Sequence, residues 1–241
     1  MRTLVVSAYY KIPSKASHEV YKQHLMRWFR SIQCPVLFYT SADLLKELQS
    51  LVPASSTNIQ WVVLDPSRWY AWNLGREFWD RQKSRDREPY HTPELAAIWY
   101  EKKEFVLRAF SYSEADVYVW CDSGCVRNDE SEQALRMFCR RGEPLHDGTL
   151  HVQQIDSSLR KPFYSFPDVR IAGAIYGGTK LAWLRYSRLY DKVLQQYDEE
   201  GVSANMDQYV MASCCDRDPS LFTLHSPSTR LDPWFFFLGV L

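Results

Sequence analysis

Three short segments carry the residue types from which a reactive site can be built. Trp120-Cys121-Asp122-Ser123-Gly124 ends an apolar run in a carboxylate and a tight turn, Ser7-Ala8-Tyr9-Tyr10 ends another in hydroxyls, and His225-Ser226-Pro227 ends a third in an imidazole. A carboxylate and a histidine at neighbouring strand ends offer hard oxygen plus one nitrogen. That set suits manganese or magnesium bridging phosphates. Each residue also has an ordinary alternative: Asp122 as the cap of the turn that follows its strand, and His225 as a histidine simply hydrogen-bonded at a strand end.

The surrounding elements must bring these ends together. β-branched and aromatic runs predict strands over 3–10, 36–40, 59–64, 117–122, 149–155, 169–176 and 221–224. Three- and four-residue apolar spacing predicts a helix from Ser17, its cap, through Ile32, and another over 43–51 capped by Ser41. Residues 69–87 read as one helix with a charged end, and Thr92-Pro93-Glu94 opens a helix running to Ala109. A short helix over 131–140, a long one ending near Glu200 and one opened by Asn205-Met206-Asp207-Gln208 complete the list. Gly177-Gly178 marks a close backbone approach, either to a ligand or to another element. This alternation predicts an α/β fold: one domain over residues 1–241, with a mixed, mostly parallel sheet and helices on both faces. In such sheets ligands sit outside the carboxyl ends of the strands.

Composition narrows the partners. Lys+Arg and Asp+Glu both number 29, so no broad basic field recommends nucleic acid. Aromatics form 15% of the chain, enough for a dense core and for flat surfaces that stack on bases or sugar rings. The six cysteines lack paired C-x-x-C spacing, which argues against zinc. With no secretory signal at the start, they are expected to be reduced thiols in a cytoplasmic protein. The apolar stretch 234–240 is too short to span a bilayer, which needs about 20 residues; it is expected in the core, with peripheral membrane contact as the lesser option.

Several of these segments together resemble one family. Val6-Ser7-Ala8-Tyr9, Ile12-Pro13-Ser14-Lys15, Pro93-Glu94-Leu95 with Ile98-Trp99 and Lys102, and Val119-Trp120-Cys121-Asp122-Ser123-Gly124-Cys125 are similar to the HtrL/YibB-like family, grouped with GT-A-type glycosyltransferases. The resemblance runs from about Leu4 to Phe237, and Trp-Cys-Asp-x-Gly-Cys is its most specific part. It implies that Ser7, Ala8, Tyr9 and Tyr10 hold a nucleotide base and ribose, and that Thr40 meets the nucleotide from the second strand. Lys102 resembles a helix lysine that touches the donor diphosphate, a task its ammonium suits. Asp122 matches the first acid of an Asp-x-Asp motif, followed by Ser123. The second acid is absent: Gly124 stands in its place, and Asp129 follows in the next loop. Gly173 and Ala174 fall in a strand that resembles the border of the sugar and acceptor. Asp207-Gln208 resembles an Asp-Gln pair beside the transferred sugar, and His225 a C-terminal metal-binding histidine followed by Pro227 and Trp234.

The resemblance implies a GT-A-like domain that moves a sugar from a UDP-sugar to a hydroxyl of a glycan, glycolipid or glycoprotein. Asp207, Lys102 and Gln208 are its expected catalytic residues, and Mn2+ or Mg2+ is expected on Asp122 and His225. Whether transfer inverts or retains configuration stays open. So do two other readings: a binding protein for nucleotide sugars or glycans that no longer transfers, and an aromatic-rich scaffold.

Overall fold

A computed structural model of the chain describes residues 2–56, 58–138 and 148–226. Seven strands form one sheet among these residues: β1 Thr3–Ala8, β2 Val36–Thr40, β3 Ile59–Val63, β4 Val117–Cys121, β5 Leu150–Gln154, β6 Ile171–Gly178 and β7 Phe222–His225. Their order is β3-β2-β1-β4-β6-β5-β7. β6 runs antiparallel to both its neighbours, and all other pairings are parallel. Strand order therefore proceeds outward from β1 in two directions. Chain connections leave to opposite sides there, so a crevice opens at the carboxyl ends of β1 and β4.

Strand alternation sends successive side chains to opposite faces, and each face builds its own core. Leu4, Val6, Tyr118 and Trp120 pack on one side. Val5, Val117, Val119 and Cys121 pack on the other. Helices α1 His18–Ser31, α2 Leu45–Leu51 and α5 Asp129–Phe138 cover the second face through Leu25, Trp28, Phe29, Leu48 and Leu135. Helices α3 Arg76–Ser84, α4 Pro93–Ala109, α6 Lys180–Glu199 and α7 Asp207–Arg217 cover the first.

The expected caps of two helices hold. Ser17 accepts the Val20 N–H at 3.4 Å and Thr92 accepts the Leu95 N–H at 3.1 Å, each satisfying an amide of the first turn. Ser41 does not cap α2. Its carbonyl closes a turn onto Leu44 N at 3.3 Å, and the helix starts at Leu45 without a side-chain cap. The single helix expected over 69–87 is also corrected. Tyr70–Leu74 is a 3-10 turn and α3 begins only at Arg76. Gly75 breaks the run with φ +82°, a left-handed conformation that glycine adopts without a Cβ clash.

The cysteine expectation fails in part. Cys34 is disulfide-bonded, whereas Cys121, Cys125, Cys214 and Cys215 are free and buried. No helix among the described residues is long and apolar enough to cross a membrane. The stretch 234–240, with Pro227 and Trp234, lies outside the described residues.

Candidate functional site

Short hydrogen bonds tie the ends of β1 and β4 into one rim. Ser7 Oγ donates to the Cys121 carbonyl at 2.6 Å, and Ser123 Oγ donates to the Ala8 carbonyl at 2.9 Å. Thr40 Oγ1 donates to the Tyr9 carbonyl at 3.0 Å, and Asp122 N donates to the Ala174 carbonyl at 2.7 Å. Three hydroxyls expected near a nucleotide thus hold backbone in place, and Ser7 and Thr40 are fully buried. Their contribution is the shape of the rim.

Asp122 emerges from that rim as its acid. Residues two apart on a strand share a face, so Trp120 lies beneath it and donates Nε1–H to Oδ1 at 2.7 Å. From α4, Lys102 Nζ reaches Asp122 Oδ1 at 3.2 Å, the Gly173 carbonyl at 3.0 Å and Asp207 Oδ2 at 2.9 Å. The Asp207 contact is an ion pair without hydrogen-bond geometry. Asp207 stands in the first turn of α7, where the helix dipole favours a negative charge, and its Oδ1 accepts the Gln208 N–H at 3.0 Å. The three groups come from the turn after β4, from α4 and from α7, brought together by β6. A Cβ on Gly173 would lie 2.9 Å from Gln208 Cγ and 3.0 Å from Asp207 Oδ2, so only a glycine lets these elements close on the ammonium.

Burial alone would lower the Lys102 pKa, but the charges of Asp122 and Asp207 outweigh it and raise it above its ordinary value. The ammonium is therefore charged. Burial raises the Asp207 pKa, and Lys102 opposes that rise. The three groups differ in access. Asp122 has a third of its side chain exposed, whereas those of Lys102 and Asp207 are 6% and 5% exposed.

Asp122 and Lys102 line a cavity of about 270 Å³ together with Ala8, Tyr9, Tyr10, Ser123, Gly124 and Ala174, eight of the expected site residues in one place. Its apolar wall comes from Trp99, Ile98 and Leu95 of α4 and from Tyr21 of α1. Arg127 also lines it, donating to the Gly124 carbonyl at 3.4 Å. Tyr9 is anchored from outside the cavity: its hydroxyl pairs with His18 Nδ1 at 2.7 Å, and His18 Nε2 pairs with Glu47 Oε1 at 3.1 Å. Sequence reasoning missed Tyr21, Arg127, His18 and Glu47 as site residues. Trp120 was within reach of it, because period two places it beside Asp122.

Other expected residues stand apart from the cavity. Gln208 is buried, with Nε2 on the Ile171 carbonyl at 3.2 Å. Asp129 turns away to Arg27 at 2.7 Å. His225 shares the sheet edge with Asp122, but β6 and β5 separate their strands, and its Nε2 lies 2.9 Å from His151 Nδ1. The structure thus does not bring His225 to Asp122. Gly124 offers no ligand, and the carboxylate nearest Asp122 shares its ammonium. Among the described residues no three His, Cys, Asp or Glu side chains group as a metal site. This donor set does not fit a protein-held divalent ion.

Mouse xyloside xylosyltransferase 1, in its apo form, superimposes on this chain with a TM-score of 0.53 at 12% identity, covering 93% of this chain and 85% of that one. The chain has a GT-A-like fold. A glycosyltransferase involved in glycosylation of the major capsid of PBCV-1 aligns with a TM-score of 0.44, 12% identity and coverage of 94% and 82%. CMP:2-keto-3-deoxy-manno-octonic acid synthetase complexed with CTP aligns with a TM-score of 0.46, 10% identity and coverage of 94% and 90%. No family model matches the chain and no curated protein matches its sequence, so the HtrL/YibB-like resemblance stands on its motifs. At such identities the superposition establishes the fold, and the cavity must be read from its own residues.

Proposed function

We propose that this protein is a glycosyltransferase that takes a UDP-linked sugar and passes it to a hydroxyl of a glycan, glycolipid or glycoprotein. The observation that carries this reading is the part-exposed Asp122 lining an aromatic-walled cavity, at the point where strand order reverses in a GT-A-like sheet. Such a crevice takes a nucleotide with its base against rings and its ribose and phosphates along the strand ends. Tyr9, Tyr10 and Tyr21 supply the rings, and Asp122 accepts hydroxyl hydrogen bonds from ribose or sugar.

Transfer breaks the bond between the anomeric carbon and the diphosphate, so negative charge grows on the leaving phosphate. Preorganised positive charge stabilises it. In this reading Arg127 faces that charge from the rim, while Lys102 holds Asp122 and Asp207 in register. Asp207 and Gln208 then act on the sugar only through Lys102 and the β6 backbone. The second reading, binding without transfer, draws on Gly124 at the second-acid position and on the burial of Asp207 behind Lys102.

Incubation with a panel of UDP-sugars separates the two. Slow release of free sugar from one of them, abolished in Asp122→Ala, supports transfer. Binding of the panel without any release, with or without glycan acceptors, supports the binding protein, and no binding at all overturns both.

A further inference from the structure

We propose that Lys102 is the resident cation of this site: its ammonium occupies the place between Asp122 and Asp207 that a divalent ion would take, and removing it uncovers a latent Mn2+ site. The inference concerns the same cavity as the glycosyltransferase reading, but it is drawn from the protein's own charges.

The surroundings of Nζ are those of a cation site. Two carboxylates and one carbonyl converge on a single point, at 3.2, 2.9 and 3.0 Å. Hard cations select such oxygen sets. These distances belong to an ammonium, since magnesium requires about 2.0–2.1 Å. Asp122 and the Gly173 carbonyl accept hydrogen bonds from Nζ, Asp207 adds its charge at ion-pair distance, and the indole of Trp120 adds a ring face 5.9 Å from Nζ. The nitrogen is as enclosed as a bound ion, because the Lys102 side chain is 6% exposed.

A second cation cannot share this point with the ammonium. A dication next to Nζ meets like charge in a buried setting where screening is weak. The carboxylate most able to join Asp122, that of Asp207, already contacts Nζ. The glycine at position 124 then has a physical meaning. With lysine supplying the positive charge, a second acid in the turn has no cation to bind. A Cβ at that position would also press on the Tyr21 ring at 3.3 Å.

Neutralising the lysine reverses the situation. In Lys102→Met two carboxylates and the Gly173 carbonyl face one another across a gap of atomic size, with Asp122 open to the cavity. That is an entry path and an oxygen set for Mn2+.

The test uses the full-length protein, electron paramagnetic resonance of Mn2+ and titration with UDP in Mn2+ or in EDTA. Wild type is expected to leave the free Mn2+ signal undiminished to about 1 mM, and to bind UDP within threefold in the two buffers. Lys102→Met is expected to bind one equivalent of Mn2+ at least tenfold more tightly than wild type, to gain melting temperature with Mn2+, and to lose both effects when Asp122→Asn is added. Stoichiometric Mn2+ binding by wild type that is lost in Asp122→Asn overturns the inference, as does UDP binding that requires Mn2+. A folded Lys102→Met that ignores Mn2+ also overturns it. If that variant does not fold, the wild-type arms decide. Failure of wild type to bind UDP in either buffer defeats the glycosyltransferase reading instead, and the Mn2+ signal of the free protein still judges the lysine.

Discussion

Lys102 and Lys103 are neighbours on α4, both are buried, and each contacts two acids. Lys102 meets Asp122 and Asp207, and Lys103 meets Glu104 and Asp191. The helix turns about 100° per residue, which aims the first at the sheet edge and the second at α6. There Lys103 Nζ sits 4.0 Å above the Tyr100 ring and 3.0 Å from Asp191, whose side chain is 44% exposed to solvent. Lys102 instead couples an acid that opens on the cavity to one that is closed off. The difference shows that burial and ion pairing do not mark a site. What marks it is a pair whose remaining valence faces a space of ligand size.

Neutralising each lysine in turn separates the two pairs most widely. Lys102→Met leaves two carboxylates facing each other and is expected to lose about 3–5 kcal/mol of stability in urea unfolding, and more than tenfold in UDP affinity. Lys103→Met is expected to lose less stability, because water can solvate Asp191 although Glu104 stays buried, and to bind UDP within twofold of wild type. Equal losses of UDP affinity in the two variants would erase the distinction.

One turn of the same helix tests burial without a site. Glu101 is fully buried and accepts the Ala71 N–H at 3.0 Å. Burial, opposed by hydrogen bonds from the Tyr70 and Ala71 backbone, raises its pKa from the ordinary 4.5 to about 7. The folded state then holds a proton that the unfolded chain gives up. The resulting stability is fully present below pH 4.5 and is lost as pH rises through 7, up to about 3 kcal/mol in all. Glu101→Gln is expected to be more stable than wild type at pH 8 by up to that amount, with the gap closing toward pH 4.5 in thermal melts. A gap that widens on acidification would contradict the assignment.

Two smaller changes probe the rim. Gly173→Ala forces Gln208 and Asp207 to move and is expected to cost about 1–3 kcal/mol, with a matching fall in UDP affinity. Ser123→Ala removes the hydroxyl that joins the ends of β4 and β1, for about 1 kcal/mol and a smaller loss of binding.

Much of this arrangement was legible in the residues. Strand runs such as 36–40 and 117–121 and the caps at Ser17 and Thr92 specify the α/β alternation, and the apolar run ending at Asp122 marks the acid. Strand neighbours were not legible. Nothing local tells that β6 runs antiparallel beside β4, or that β5 stands between β6 and β7, yet this order keeps His225 from Asp122. Nor does the polar run Glu101-Lys102-Lys103-Glu104 announce its burial, because the acids that pair with the two lysines, Asp122, Asp207 and Asp191, are remote in sequence. The Cys34 disulfide escaped for a related reason: spacing along the chain does not report distance across the fold. The glycine at 75 shows the opposite limit, a local breaker that the aromatic stripe over 69–87 obscured.

In the proposed function Asp122 receives a nucleotide sugar in the crevice between β1 and β4. Isothermal titration of wild type and Asp122→Ala with UDP tests it most directly. Wild type is expected to bind UDP in the micromolar-to-millimolar range, and the variant to lose that binding while its circular dichroism stays unchanged. Absence of binding by any nucleoside diphosphate, or equal binding by both proteins, would contradict it.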